Sequence, residues 1–305
     1  MNSTQTNPQI SLASYLVNRI LAVKPLASFA KNRARTMMIK RAESIGVPWR
    51  DNVQKLSDRD WNEEIAEVEN RQIQYPDYYL NSFHAYEKGN LSWEAAWEVE
   101  SAAHAVHAKI WSEGDKNGDA RLRQSYHQIL RQKIEIEPHS ILDLGCGVGM
   151  STFALQEIYP QAKLTGVDLS PYFLAVAKYR ARQKNKQVNW LHAAAESTGL
   201  PSASFDLVSA CLVFHELPQT AAKAILLEAR RLLKPGGYLG IMDMNPRSTI
   251  YQKMPPFILT LLKSTEPYLD EYFTLDISSL IKEVGFTTPD ILVNSPRHRT
   301  IIAKS

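Results

Sequence analysis

Cysteine is nearly absent from this chain: Cys146 and Cys211 are the only two in 305 residues. Two isolated thiols cannot make a disulfide framework or a thiolate metal site, so a reducing, cytoplasmic setting is expected. No apolar run approaches the length that spans a bilayer. Acidic side chains are almost missing from residues 1–50, where Glu43 stands alone against eight Lys or Arg. Residues 51–140 reverse the balance, with 17 acids against 10 bases, and the net charge of the whole chain is only +3. No basic run interleaved with aromatics follows, which argues against a nucleic-acid partner. What remains is ordinary globular material, 44% hydrophobic and 22% charged. Its length suffices for one large core with a sizeable extension.

The most specific stretch is Ile141-Leu-Asp-Leu-Gly-Cys-Gly-Val-Gly-Met-Ser-Thr152. It predicts a buried strand, a glycine turn and the start of a helix. Gly145, Gly147 and Gly149 let the backbone turn sharply and come close to a ligand. Asp143 sits at the carboxyl end of the strand, the edge where open α/β sheets bind their ligands. A dinucleotide fingerprint would have its third glycine where Met150 stands. A carboxylate beside the turn would also repel a pyrophosphate, so Asp143 suits a ligand with a cationic end such as an amino group or sulfonium.

A second strand, Ala162 to Leu169, ends in Asp168, 19 residues after Gly149. A carboxylate there can accept hydrogen bonds from both ribose hydroxyls. Ser170 and Pro171 then supply an N-cap and first turn for the next helix. Further motifs follow in order: Ala193-Ala-Ala-Glu-Ser-Thr-Gly-Leu-Pro201, Ser204-Phe-Asp-Leu-Val208, Cys211-Leu-Val-Phe-His-Glu-Leu217 and Leu232-Leu-Lys-Pro-Gly-Gly-Tyr-Leu-Gly-Ile241. Over residues 130–305 the chain resembles the class I S-adenosylmethionine-dependent methyltransferases, of the type 11 kind.

The resemblance implies a Rossmann-like, seven-stranded, mostly parallel α/β sheet with an α-helical N-terminal extension. It implies S-adenosylmethionine as cofactor and methyl transfer by in-line displacement. Asp143, Gly145, Cys146, Gly147 and Gly149 would lie at the methionine moiety, with Cys211 in the segment that passes it. Asp168 would hold the ribose, Leu169 would pack on the adenine, and Ala195 with Glu196 would line the adenine edge. Ala194 stands where the family often places an aspartate for the adenine amine, so Glu196 or backbone carbonyls would take that task. His215, at the end of the fourth strand, is the candidate catalytic base, since an unperturbed imidazole titrates near neutral pH. Glu216 is a weaker alternative, and His127 and His192 are expected to be structural. The rivals are a cofactor-binding regulator or assembly protein without turnover, and an enzyme using the same fold for different sulfonium chemistry or a nicotinamide-dependent oxidoreductase, the last opposed by the missing third glycine.

The expected organisation is a helical, aromatic-rich extension over 1–125 and a cofactor-binding domain over 126–305 carrying a lid insertion at 247–276. Residues 11–41 combine apolar positions at helical spacing (Leu12, Tyr15, Leu16, Ile20, Leu21) with a crowd of basic residues. That pattern fits a helix packed on the domain, a peripheral membrane helix, or an organellar transit peptide. Tyr75, Tyr78, Tyr79, Phe83, His84, Tyr86, Trp93, Trp97 and Trp111 crowd the next segment. Aromatics at helical spacing are usually core; here they also suggest a lid supplying an aromatic pocket for a small acceptor. His104 and His107 lie one turn apart without a Glu-x-x-His partner set, so no metal is expected.

Overall fold

The computed structural model describes residues 24–82, 86, 88–111 and 114–305. The first part of the basic segment, with Phe83 and His84, lies outside the described residues. Seven strands form one sheet: β1 (Ser140–Leu144), β2 (Lys163–Asp168), β3 (Asn189–His192), β4 (Phe205–Cys211), β5 (Leu233–Met244), β6 (Asp290–Val293) and β7 (His298–Lys304). Their order is β3-β2-β1-β4-β5-β7-β6, with β7 antiparallel to both of its neighbours and the other pairings parallel. This is the expected mostly parallel α/β sheet, closed by a C-terminal hairpin.

Central strands of such a sheet are covered on both faces and so carry near-continuous apolar runs. Alternation along them still sorts the two faces. Leu142, Leu144, Val208 and Ala210 pack toward α8 (Gln219–Leu232), whose Ala222, Ile225, Leu226, Ala229 and Leu232 recur at helical spacing. Ile141, Leu207 and Met242 pack the other way, onto Leu122, Tyr126 and Leu130 of α5 (Gly118–Lys133). That helix begins at Gly118, so the helix completing the sheet's second face starts before the expected boundary at 126.

The extension comprises α1 (Lys24–Ser44), α2 (Trp49–Ser57), α3 (Asn62–Val68) and α4 (Trp93–His107). Arg35 of α1 donates from Nε to Glu98 of α4 at 2.9 Å, and the Tyr86 hydroxyl donates to the same carboxylate at 2.6 Å. Trp61, Trp93 and Trp97 pack with Val148 and Phe173 against α7 (Pro171–Gln183). Trp93 lies edge-on to Tyr172 with ring centroids 4.9 Å apart. The tryptophans therefore bind the extension to the cofactor-binding half rather than facing a cavity.

The 247–276 insertion contains α9 (Thr249–Gln252), α10 (Pro256–Thr265) and α11 (Leu269–Thr274). Leu269 and Tyr272 bury its end in the core, and the Tyr272 hydroxyl donates to the Met244 carbonyl at 2.6 Å. The chain then runs through α12 (Ile277–Glu283), capped by the Asp276 side chain, into the hairpin.

One buried bond on the second face is a direct stability test. The Tyr126 and Ser209 hydroxyls lie 2.9 Å apart, both fully buried, joining α5 to β4. Tyr126→Phe leaves Ser209 without this partner and should cost about 1–2 kcal/mol, read as a shift in the denaturant midpoint at constant slope.

Candidate active site

β1 delivers the chain into the glycine turn, where Gly145 and Gly149 have φ of +64° and +87°. A Cβ at Gly145 would stand 2.6 Å from Val213, and one at Gly149 would stand 2.9 Å from both Phe153 and Trp190. Glycine is required at both positions for its conformation and for its lack of bulk. Gly149 then caps α6 (Met150–Ile158), in line with the expected strand, turn and helix.

Asp143 is fully buried beneath this turn. Its Oδ2 accepts from Ser151 Oγ at 2.7 Å and Thr152 Oγ1 at 2.6 Å, while Oδ1 has no hydrogen-bond partner. Burial pushes its carboxyl up to about 6, against the lowering effect of the two hydroxyls. Asp168 lies across the turn. Its Oδ2 accepts from the Gly147 amide and its Oδ1 from the Ser170 amide, each at 2.8 Å. Burial again raises the carboxyl to about 6, although these amides and the Tyr79 hydroxyl bond to it. Ser170 Oγ caps α7 and also donates to the Asn90 carbonyl at 2.7 Å.

A cavity of about 590 Å³ opens above the carboxyl ends of the strands. Of the residues expected at the site, Gly145, Cys146, Gly147, Asp168, Leu169, Ala195, Cys211 and His215 line it. Asp143, Gly149 and Glu196 do not line it. Asp143 is sealed under the turn and braces the first residues of α6. Gly149 is closed off by Phe153 and Trp190, and Glu196 accepts the Tyr78 hydroxyl at 3.0 Å. Burial drives the Cys146 thiol well up and the Cys211 thiol up to about 12, so neither is a nucleophile at neutral pH.

His215 stands in a short 3-10 turn, Phe214–Glu216, after β4. Its Nδ1 is 2.8 Å from Asp243 Oδ1, and its backbone amide donates to Asp243 Oδ2 at 3.2 Å. Burial opposes charge on the ring, but the Asp243 carboxylate outweighs it and lifts the imidazole to about 10. His215 thus keeps its proton at neutral pH, which corrects the expectation of a free base. The cause is a buried partner 28 residues away, and the spacing of the two residues gives no hint of the contact. His192 is held by the Asn70 amide and the Leu169 carbonyl, both at 2.9 Å, and burial lowers His127 to about 4. His107 pairs with Asp119 at 2.7 Å rather than with His104.

Sequence reasoning missed four contributors. Asn90 reaches Glu216 at 3.3 Å, Asp243 holds His215, and Arg123 and Glu266 line the cavity. Asp243 carried one faint signal, an acid two residues after the apolar end of the Leu232–Ile241 motif. The aromatic lid enters only in part: Tyr78, Tyr79 and Tyr86 line the cavity, with Val99, Ala103 and Val106 of α4.

A methyltransferase domain model matches residues 141–237. An uncharacterized methyltransferase of Synechocystis is 30% identical over 166 residues, 54% of this chain and 74% of that protein. The chain belongs to the class I S-adenosylmethionine-dependent methyltransferases. The demethylmenaquinone methyltransferase of Lactococcus lactis is 30% identical, over 57% of this chain and 70% of that one. The trans-aconitate 2-methyltransferase of Azoarcus is 38% identical, but the match spans only 41% of this chain and 47% of the relative. Among solved structures, a putative O-methyltransferase of Nostoc punctiforme is 18% identical with a TM-score of 0.55, covering 81% of this chain and 67% of that one. Phosphoethanolamine N-methyltransferase 2 of Haemonchus contortus, solved with S-adenosyl-L-methionine, is 18% identical with a TM-score of 0.52, over 72% and 61% of the two chains. These two structures share the fold.

The methyltransferase site fits its cofactor on structural grounds. Gly147 borders the cavity, and a Cβ there would meet nothing nearer than Phe173 at 4.0 Å, so the missing side chain leaves room for a ligand. Asp168 lines the same space.

The raised Asp143 carboxyl has a measurable consequence. An acid whose folded value lies above its unfolded value destabilises the fold once ionised, so the contribution of Asp143 to stability should fall as pH rises from about 4 to about 6. Asp143→Asn removes that titration while keeping an acceptor for Ser151 and Thr152. Relative to wild type, the variant should therefore gain stability between pH 4.5 and 7.5, by at most about 3 kcal/mol. Urea denaturation at the two pH values checks this; equal differences at both would contradict it.

Proposed function

We propose that this methyltransferase acts on a small apolar or aromatic acceptor, held in the part of the cavity beyond the glycine turn. One observation carries the reading: past Cys211 and His215 the cavity wall is built from Val99, Ala103 and Val106 of α4 and Met254, Ile258 and Leu262 around α10. Such a wall rewards apolar surface and offers few groups to a strongly polar substrate.

When bound, the cofactor supplies an electrophilic methyl group on its sulfonium. In this reading the ribose hydroxyls are held by Asp168, whose carboxylate the Gly147 and Ser170 amides already orient. Leu169 and Ala195, which line the cavity, would border the adenine, and the backbone from Gly145 to Gly147 would border the methionine moiety. Asp143 acts from below, fixing the first turn of α6 through Ser151 and Thr152. Tyr78 and Tyr79 close over Glu196 and Asp168 and exclude water. His215, locked by Asp243, gives the acceptor end a polar terminus against which one acceptor atom is oriented. Binding and orientation are the tasks of these side chains, because in-line displacement depends chiefly on alignment.

Two variants separate the halves of the reading. Asp168→Ala should weaken S-adenosylmethionine binding about tenfold or more in calorimetry, since a charged hydrogen-bonding partner is lost. Ala103→Trp fills the acceptor end and should keep cofactor affinity while abolishing transfer of labelled methyl to apolar and aromatic small molecules. Preserved transfer in Ala103→Trp would remove the acceptor assignment.

We also propose peripheral contact with anionic membrane. Arg33 and Lys40 are exposed on α1, where Met37 is 58% exposed, and Phe257 and Ile258 on α10 are 45% and 39% exposed. Apolar side chains beside basic ones suit an anionic interface. The protein should co-sediment with anionic liposomes at low salt and be released as salt rises; no sedimentation at low salt would refute the contact.

A further inference from the structure

At the carboxyl ends of β4 and β5 one imidazole meets three carboxylates. Asp243 is fully buried and takes the Nδ1 side of His215 at 2.8 Å, which leaves Nε2 as the nitrogen for a cation, whose binding displaces the proton the ring otherwise keeps there. Glu216 is the next residue in the 3-10 turn, and Glu266 directly follows α10, fifty residues later in the insertion. His215, Glu216 and Glu266 each offer one ligand atom, and these atoms all lie within 4.8 Å of one another. All three residues line the cavity, and the Asn90 amide nitrogen donates to Glu216 at 3.3 Å, helping to orient it.

The separations suit a hard or borderline cation. Ligands at about 2.3 Å from a metal stand about 3.3 Å apart when adjacent and about 4.6 Å apart when opposite. Arg123 lines the same cavity, paired with Asp119 at 2.9 Å. Arg297 also borders the cavity, whereas burial lowers the neighbouring His298 to about 3 and keeps it neutral. Asp243 on the remote ring nitrogen matches the carboxylate–histidine arrangement that orients metal-bound imidazoles. One nitrogen and two carboxylates fill only part of an octahedron, leaving positions open to the cavity.

We propose that His215, Glu216 and Glu266 bind one divalent cation of the Mn²⁺ type, which holds an oxygen of the acceptor beside the transferred methyl group. The site stands on its own geometry; its role in orienting the acceptor rests on the transferase reading above. The cation makes and breaks no covalent bond. It adds a positive anchor at the polar end of an otherwise apolar pocket, which favours an acceptor with an oxygen at one end of an apolar body.

The test uses the full chain, stripped with a chelator and titrated with Mn²⁺ alone, following loss of the free-ion resonance signal and heat in parallel. One saturable Mn²⁺ per chain is expected. Glu266→Gln should lower the affinity at least tenfold, and Asp243→Asn, which changes no ligand, by about 10–100-fold. S-adenosylmethionine affinity, measured on the same samples, should be unchanged in Glu266→Gln; if that variant does not fold, Glu216→Gln takes its place with the same two readouts. Absence of a one-per-chain site, or equal Mn²⁺ affinity in wild type and the glutamine variant, overturns the proposal and leaves a histidine–carboxylate ion pair only. Mn²⁺ binding without S-adenosylmethionine binding would instead count against the cofactor assignment and leave the metal site standing.

Discussion

The Asp168 carboxylate is the constraint on which the rest of the site depends. Its two oxygens take the Gly147 amide and the Ser170 amide, and the Tyr79 hydroxyl bonds to it as well. One buried acid thereby ties the glycine turn after β1, the start of α7 and the aromatic segment of the extension to the end of β2. Such a group is costly to bury and is kept only where its bonds are made. Burial raises its carboxyl to about 6 despite those bonds. The same residue lines the cavity, so one group serves the frame and the cavity wall together.

Around that point the extension divides its aromatics between two tasks. Trp61, Trp93 and Trp97 pack the extension onto α7, with Trp61 and Trp93 at 5.3 Å and Trp93 and Trp97, one turn apart on α4, at 5.9 Å between centroids. The tyrosines reach the cavity with their hydroxyls paired, Tyr78 to Glu196 and Tyr86 to Glu98. The difference follows from chemistry: indole rings contribute mainly apolar area, whereas a tyrosine can cover a crevice and still satisfy a buried carboxylate. The small residues of α4, such as Ala95 and Ala103, leave the space that the pocket occupies.

The opposite end of the cavity is organised by Asp243, which lies on β5 and meets His215 across the end of β4. Burial alone would strip the proton from His215, yet the adjacent carboxylate reverses the outcome. Two neighbouring strand ends thus set the charge state of one ring. The insertion completes this end by bringing Glu266 into the wall, anchored by the buried Leu269 and Tyr272.

What the chain order alone determined is the local part. The apolar run before Gly145, the obligatory glycines, the Ser170–Pro171 helix start and the closing hairpin are all written in contiguous residues, because strands, caps and turns are decided by neighbours in sequence. The same locality made the cofactor legible, since its loops follow one another along the strand ends. Tertiary structure decided whatever needs two distant segments to meet. It sealed Asp143 away from the cavity, turned Glu196 to the Tyr78 hydroxyl, packed Trp61, Trp93 and Trp97 onto α7, began the helix completing the second face at Gly118, and brought Asp243 and Glu266 to His215. Burial and charge pairing act through space, so the exposure of a carboxylate or the proton on an imidazole is decided only when the fold closes.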